Sequence, residues 1–235
     1  MCYNTHMGIN KEEKLKIIQE YERIQLLLDL KDPHIFLTKH CKTLDESDSS
    51  NPYKNIPDYK YVEDLINIYH NHQLILVQKS RQMMASWITI GYLLWYAMFY
   101  KPIGTRIFVM SKKEKDADAL MKRMKTMYTK LPENIKALNP CDQPFVYNKM
   151  CWEKNDTIIQ GVPQGADQVR SYTANIVFMD EMSFQDKAEE AFAAVKPTLQ
   201  EHSKFIGVST PNGKEYFYRL LTDYYYNQQQ KLLKR

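Results

Sequence analysis

The chain has 235 residues, of which 44% are hydrophobic, and its formal net charge is +4. This length suits one large domain, and 17 Tyr, 9 Phe and 3 Trp exclude a predominantly disordered chain. The seven glycines form no G-x-G-x-x-G pattern, and the one Gly-Lys pair, Gly213-Lys214, is followed by Glu215. Any nucleotide site in this chain must therefore use an irregular phosphate-binding loop.

The first 50 residues are predicted to form a helical lead-in. Apolar residues recur among charges from Lys14 to Leu28, as is typical of an amphipathic helix. The polar stretch from Leu44 to Pro52 follows and is the clearest linker candidate in the chain. We therefore place a domain boundary near residue 50, with the main domain over residues 51–235.

Strands and helices alternate from residue 60 onward. Strands are predicted at 74–77, 106–110, 175–179 and 205–208, helices at 61–69, 86–100, 114–130, 186–195 and 216–226, and a hairpin at 150–162. This alternation predicts an α/β fold, with a mostly parallel sheet covered by helices on both faces. Ligands of such sheets bind beyond the carboxyl ends of the strands.

The helix predicted at 86–100 lies in a segment, Gln82–Tyr100, that is uncharged over 19 residues. A membrane span and a buried core helix both fit that length. The polar residues Ser86 and Thr89 within the segment, and the charges of Arg81 and Lys101 at its flanks, favour the buried helix.

The segment between the first predicted strand and this helix is a candidate phosphate loop. It consists of Lys79, Ser80, Arg81, Gln82, Met83, Met84, Ala85 and Ser86. A phosphate site needs backbone N–H groups at a helix N-terminus, a cation, and a hydroxyl for Mg²⁺. In an eight-residue Walker A frame ending at Ser86, Ala85 takes the lysine position and Lys79 takes the first glycine position. An ordinary strand–turn–helix is the alternative interpretation of this segment alone.

Two later strands also end in residues with suggestive chemistry. Four apolar residues followed by Asp180 and Glu181 form a Walker B pattern, in which the aspartate lies near the metal and the glutamate activates water. The last strand ends at Ser209 and Thr210, where helicase-like motors carry hydroxyls that sense the γ-phosphate. A plain turn is the alternative for this last element.

Taken in this order, the motifs resemble the ATPase domain of the large terminase subunit, the DNA-packaging motor of tailed bacteriophages and herpes-type viruses. The matching residues are Ser80-Arg81-Gln82, Val169-Arg170, Asp180-Glu181, and Ser209-Thr210-Pro211-Asn212-Gly213 followed by Phe217-Tyr218. The resemblance covers roughly residues 52–222. The sequence departs from the family at Met84, where a glycine is usual, and at Ser171-Tyr172, where the family often has a glycine. The upstream glutamine that usually reads adenine in this family is not evident in the sequence.

The resemblance implies a RecA-like P-loop NTPase fold and Mg²⁺-dependent ATP hydrolysis that drives double-stranded DNA into a viral capsid. Some family members carry the phosphate lysine at the start of the loop. The implied roles are phosphate binding for Lys79, Mg²⁺ binding for Ser86 and Asp180, catalytic base for Glu181, transition-state charge for Arg81 in its own or a neighbouring site, and coupling for Ser209 and Thr210.

The resemblance also implies partners. These are double-stranded DNA, a portal protein, a small terminase subunit and neighbouring copies in a ring, all in the host cytoplasm and without a membrane. The family's C-terminal nuclease domain is expected to be absent, because the sequence ends at Arg235.

The window 112–130 holds seven basic and three acidic residues, so it is either a solvated helix face or a DNA-tracking face. The candidate DNA contacts are Lys122, Arg123 and Lys125.

Two other functions remain open at this point. A helicase-type translocase shares the fold, but it usually needs a second RecA-like domain for which the chain has no room. A degenerate module that holds nucleotide without turnover is favoured by Met84 and Ala85 and opposed by the intact Asp180-Glu181 pair.

Overall fold

The computed structural model describes residues 10–81, 83–146, 148–165, 174–197 and 203–223. The first helix, α1, spans Lys11–Asp29 and confirms the helix predicted in the lead-in. It begins with a capping box, because the Asn10 side chain accepts from the Glu13 N–H while the Glu13 carboxylate accepts from the Asn10 N–H. Most of its large apolar side chains remain 40–68% exposed.

A small hairpin follows the lead-in helices. The helix α2 (Pro33–Ile35) continues as a π-helical turn over Phe36–His40, and β1 (Lys42–Leu44) then pairs antiparallel with β2 (Tyr53–Asn55). The polar stretch predicted as a linker is therefore the loop of a hairpin. Its two strands pair across the boundary predicted near residue 50.

The main sheet has seven strands among the described residues. They are β3 (Leu74–Gln78), β4 (Arg106–Ser111), β5 (Gln143–Val146), β6 (Lys149–Trp152), β7 (Thr157–Pro163), β8 (Ile176–Asp180) and β9 (Lys204–Ser209). Their spatial order is β3-β9-β8-β4-β7-β6-β5, parallel from β3 to β7 and antiparallel from β7 to β5. The predicted mostly parallel sheet is confirmed, and so is the predicted hairpin, which β6 and β7 form.

Helices cover both faces of the sheet. They are α3 (Lys60–Asn71), α4 (Ala85–Trp95, extended by a π-helical turn over Tyr96–Tyr100), α5 (Glu114–Lys130), α6 (Glu133–Lys136), α7 (Ala188–Val195) and α8 (residues 216–223). Alternate residues of β8 point into two separate cores. Ile176 and Phe178 pack with α3, α4 and α5, whereas Val177 and Met179 pack with α7. This arrangement confirms the RecA-like α/β class.

The helix α4 is buried over most of its length, as its uncharged sequence predicted. Its Trp95 side chain is 1% exposed and donates a hydrogen bond to the Leu30 carbonyl at 2.8 Å. Across the described part of the chain, no helix combines the length and the hydropathy needed to cross a bilayer. The apolar segment therefore serves the protein core, and its N-terminus opens at the carboxyl end of the sheet.

Candidate active site

The three predicted motifs meet at one edge of the sheet because β3, β9 and β8 are adjacent and parallel. The backbone N–H of Lys79 donates to the Ser209 carbonyl at 3.0 Å, which joins the start of the phosphate loop to the end of β9. Asp180 is the last residue of β8, in register with Val208 of β9. Residues about 100 positions apart in the sequence thereby form a single site.

The phosphate loop, residues 79–86, has a glycine-like backbone at its substituted position. Met84 adopts φ +51° and ψ 11°, in the left-handed region that favours glycine, and is the N-cap of α4. This conformation costs a non-glycine residue about 1 kcal/mol. The Met84 side chain packs against the main core, and this contact offsets the cost. The first N–H groups of α4 therefore remain available for phosphate despite the missing glycine.

Ala85, at the usual lysine position, is 4% exposed and belongs to the main core. A charged side chain could enter this position only at a high desolvation cost. The cation of the loop must therefore come from another residue. Gln82, Val169, Arg170, Ser171 and Tyr172 lie outside the described residues.

Ser86 and Asp180 form the candidate metal site. The Ser86 hydroxyl donates to Asp180 Oδ1 at 2.9 Å. Asp180 is 8% exposed, and this burial raises its pKa, while the Ser86 hydrogen bond and the Lys79 charge act in the opposite direction. A buried carboxylate beside a hydroxyl is a donor set that suits Mg²⁺.

Within the described ranges no group of three or more His, Cys, Asp or Glu side chains is arranged to hold a metal. A site built from one carboxylate and one hydroxyl leaves most coordination positions to substrate phosphates and water, which is the usual form of Mg²⁺ sites in nucleotide enzymes. Ser86 and Asp180 therefore fit an ion that arrives with its nucleotide.

Glu181 is held by hydrogen bonds on both of its oxygens. Lys79 Nζ donates to Oε1 at 2.7 Å, and the backbone N–H and hydroxyl of Thr210 each donate to Oε2 at 3.1 Å. Burial alone would raise the pKa of Glu181, but the hydrogen bonds from Lys79 and Thr210 outweigh it and lower the pKa below its ordinary value. The carboxylate is therefore ionised at neutral pH. Its backbone has φ +47°, a strained conformation of the kind found at functional sites.

The loops after β8 and β9 are tied together by further hydrogen bonds. The Ser183 N–H donates to Ser209 Oγ at 3.0 Å, and the Asn212 side chain donates to the Ser183 carbonyl at 3.1 Å. The Gln185 side chain donates to the Asp180 carbonyl at 2.8 Å. The sequence interpretation missed Ser183 and Gln185, and the one signal for them was their position just after the Walker B pair.

A cleft of about 440 Å³ opens above the ends of β4, β8 and β9, and we call it the strand-end cleft. Its lining brings together Asp180, Glu181, Thr210 and Arg81, all four of which the sequence assigned to the site. Arg123 of α5 also lines this cleft, although the sequence assigned it to DNA binding.

A second cleft of about 1090 Å³ lies beside the first, and we call it the hairpin cleft. It is lined by the β1–β2 hairpin on one side, by Met84 and Trp87 at the start of α4, and by Lys122 and Arg123 of α5. Lys122 is 65% exposed in an ion pair with Asp118 at 2.6 Å. Lys122 and Lys125 are both exposed on α5.

No family model matches the sequence. The fold is similar to the crystal structure of the HK97 bacteriophage large terminase, with a TM-score of 0.65 and 10% sequence identity. The similarity covers 85% of this chain but 42% of the HK97 chain. It is also similar to the ATPase domain of the Thermus phage P74-26 large terminase, with a TM-score of 0.51, 14% identity, and coverage of 70% and 69%. The resemblance inferred from the motifs is thus confirmed at the level of the fold.

Proposed function

We propose that this protein is a Mg²⁺-dependent ATPase and the motor domain of a viral DNA-packaging terminase. One observation carries the proposal: side chains from three distant motifs, of the types that supply the cation, metal ligands and base of an ATPase, are joined by hydrogen bonds at one edge of the sheet. Lys79 contacts Glu181, Ser86 contacts Asp180, and Thr210 contacts Glu181. The terminase-like fold supports the choice of motor among the ATPases.

In the proposed reaction the triphosphate binds at the N-terminus of α4, where backbone N–H groups point outward. Lys79 then turns from Glu181 to the β- and γ-phosphates, which frees Glu181 Oε1. Glu181 accepts a proton from a water molecule whose oxygen attacks the γ-phosphorus. The bond from that phosphorus to the bridging oxygen breaks, and ADP leaves. Arg81, which lines the strand-end cleft, stabilises the charge of the transition state in its own or a neighbouring site.

Ser86 and Asp180 would hold the Mg²⁺ ion. When bound, this ion neutralises part of the charge on the phosphates. Asp180 is suited to this role because it is a carboxylate whose burial raises its pKa, so a nearby cation stabilises its ionised form.

Hydrolysis is coupled to movement through Ser209 and Thr210 in this proposal. Thr210 holds the carboxylate of Glu181, and Ser209 accepts from the Ser183 N–H in the loop after β8, so a change at Glu181 or in that loop reaches the loop after β9. Double-stranded DNA is the moving load, contacted by Lys122 and Lys125. The portal protein, the small subunit and neighbouring copies in a ring complete the proposed machine in the host cytoplasm, with residues 51–235 as its motor domain.

A nucleotide-binding module without turnover is the second candidate. It is favoured by the hydrogen bonds to both oxygens of Glu181, because they lower the pKa of the carboxylate and make it a weaker base. Measuring ATP hydrolysis by the purified chain, with and without linear double-stranded DNA, distinguishes the two. A motor domain hydrolyses ATP slowly and is stimulated by DNA. Nucleotide binding with no phosphate release under either condition would support the module.

A further inference from the structure

We infer, building on the function proposed above, that Arg123 is a phosphate-binding residue of the nucleotide site and that Trp87 positions it. The ligand class is a nucleoside triphosphate. Nothing in the motifs assigns this role, because Arg123 lies in a basic helix far from each of them in the sequence.

The first support is position. Arg123 lines both the strand-end cleft, with Asp180 and Glu181, and the hairpin cleft, with Met84 and Trp87. It therefore lies where the two clefts join, beside the first turn of α4. The phosphates of a ligand that binds over that turn would therefore lie close to the Arg123 guanidinium.

The second support is the way the side chain is held. The Arg123 guanidinium carbon lies 5.5 Å from the centre of the Trp87 ring, which is within cation–π distance. Trp87 directly follows Ser86, so it is fixed to the same helix turn as the metal-binding hydroxyl. A guanidinium held against an aromatic face keeps its N–H edges free for acceptors, and these edges match the geometry of a phosphate.

The third support is charge. In the part of the chain that the structure describes, Arg123 makes no ion pair, whereas its neighbour Lys122 is paired with Asp118. Its guanidinium instead shares the lining of the strand-end cleft with the Asp180 and Glu181 carboxylates. An arginine of this kind provides a positive charge for an incoming anion.

The same surroundings disfavour DNA as that anion. The strand-end cleft contains the carboxylates of Asp180 and Glu181, which repel a DNA phosphate that brings no tightly bound metal. A nucleotide that arrives with Mg²⁺ is attracted to these carboxylates through the charge of the metal ion. The chemistry of the cleft therefore selects a metal-bound triphosphate over the DNA backbone.

The test is titration of the full chain, without DNA, with the non-hydrolysable analogue AMP-PNP and Mg²⁺. The variant Arg123→Gln should weaken the Kd at least about tenfold, because a charge-assisted hydrogen bond to the ligand is lost. Arg123→Lys should bind between wild type and Arg123→Gln. The matched control Arg23→Gln removes an exposed guanidinium from α1 and should bind as wild type does.

Trp87 supplies a second readout. Its ring is partly exposed beside Arg123, whereas Trp95 and Trp152 are each 1% exposed. Binding of AMP-PNP should change the tryptophan emission of wild type and not that of Trp87→Phe. In Arg123→Gln the change should require at least tenfold more nucleotide, in line with its weaker Kd.

Equal Kd values for wild type and Arg123→Gln would overturn the inference, and weaker DNA binding by the variant would then make Arg123 a DNA contact. Failure of wild type itself to bind AMP-PNP would instead overturn the proposed ATPase function, and with it this inference. A normal melting temperature for Arg123→Gln and Arg123→Lys shows that the comparison concerns folded protein.

Discussion

Lys79 Nζ lies 2.7 Å from Glu181 Oε1, although 102 positions separate the two residues in the sequence. The ammonium side chain is 14% exposed and the carboxylate side chain 36% exposed, so the pair is partly shielded from water. In the proposed enzyme these are the phosphate cation and the catalytic base. In the proposed reaction the pair separates, because Lys79 moves to the phosphates and frees Glu181 Oε1.

Lys79 is the residue whose loss should most reduce phosphate binding. The loop contains no other lysine that could replace it. The usual lysine position holds the buried Ala85, and the other cation of the loop, Arg81, is exposed. We expect Lys79→Ala to lower hydrolysis at least ~100-fold, which is about 2.7 kcal/mol of transition-state stabilisation. Steady-state phosphate release measures this, with Lys60→Ala on the exposed side of α3 as control. Unchanged ATP affinity and turnover in Lys79→Ala would show that the lysine is not relocated.

The metal requirement should depend on Ser86. Its hydroxyl hydrogen-bonds Asp180, and we propose that both groups bind Mg²⁺. The variant Ser86→Ala should need about tenfold or more Mg²⁺ for half-maximal ATPase activity, and chelation of the metal should abolish activity in both proteins. An Mg²⁺ titration curve of Ser86→Ala that overlays that of wild type would remove Ser86 from the metal site.

Met84 offers a test of the loop backbone that does not depend on activity. Glycine usually destabilises a helix relative to alanine, but at φ +51° the preference reverses. Both Met84→Gly and Met84→Ala remove the packed side chain, so their difference isolates the backbone effect. We expect Met84→Gly to be the more stable of the two by about 1 kcal/mol in urea unfolding. A Met84→Ala variant as stable as Met84→Gly would mean that the loop is not left-handed there.

The basic face of α5 should contribute to DNA binding through Lys122 and Lys125, which are exposed. Reversing both to Glu should weaken DNA binding and reduce its dependence on salt. Each lost phosphate contact lowers the log–log slope by about 0.9. DNA affinity measured at several salt concentrations gives this slope. If the slope of the double variant equals that of wild type, the face is a solvated helix surface.

Much of the fold could be predicted because its central elements carry strong local signals. The strand β8 consists of four apolar residues followed by Asp180, and α5 has buried residues such as Leu120 and Met124 at helical spacing. The short strands β1, β2 and β5 were missed. β2 is exposed at all three positions, so its strand conformation depends on its partner and not on its own sequence.

The candidate site could be predicted residue by residue but not as an arrangement. Lys79, Ser86, Asp180 and Glu181 each stand at a recognisable position along the chain, and the parallel sheet brings their strand ends together. The contact of Arg123 with Trp87 depends on how α5 packs against α4, and no local pattern reports such packing.

The most direct test of the central claim is ATP turnover by Glu181→Gln. The amide keeps the shape of the side chain and its place beside Thr210, but it cannot accept a proton. We expect the variant to bind ATP and Mg²⁺ as wild type does and to lose ~100- to 10,000-fold in kcat. The control Glu190→Gln, on the exposed side of α7, should keep full activity. An unchanged kcat in Glu181→Gln would contradict the account, because the carboxylate at the centre of the site would then not be the base.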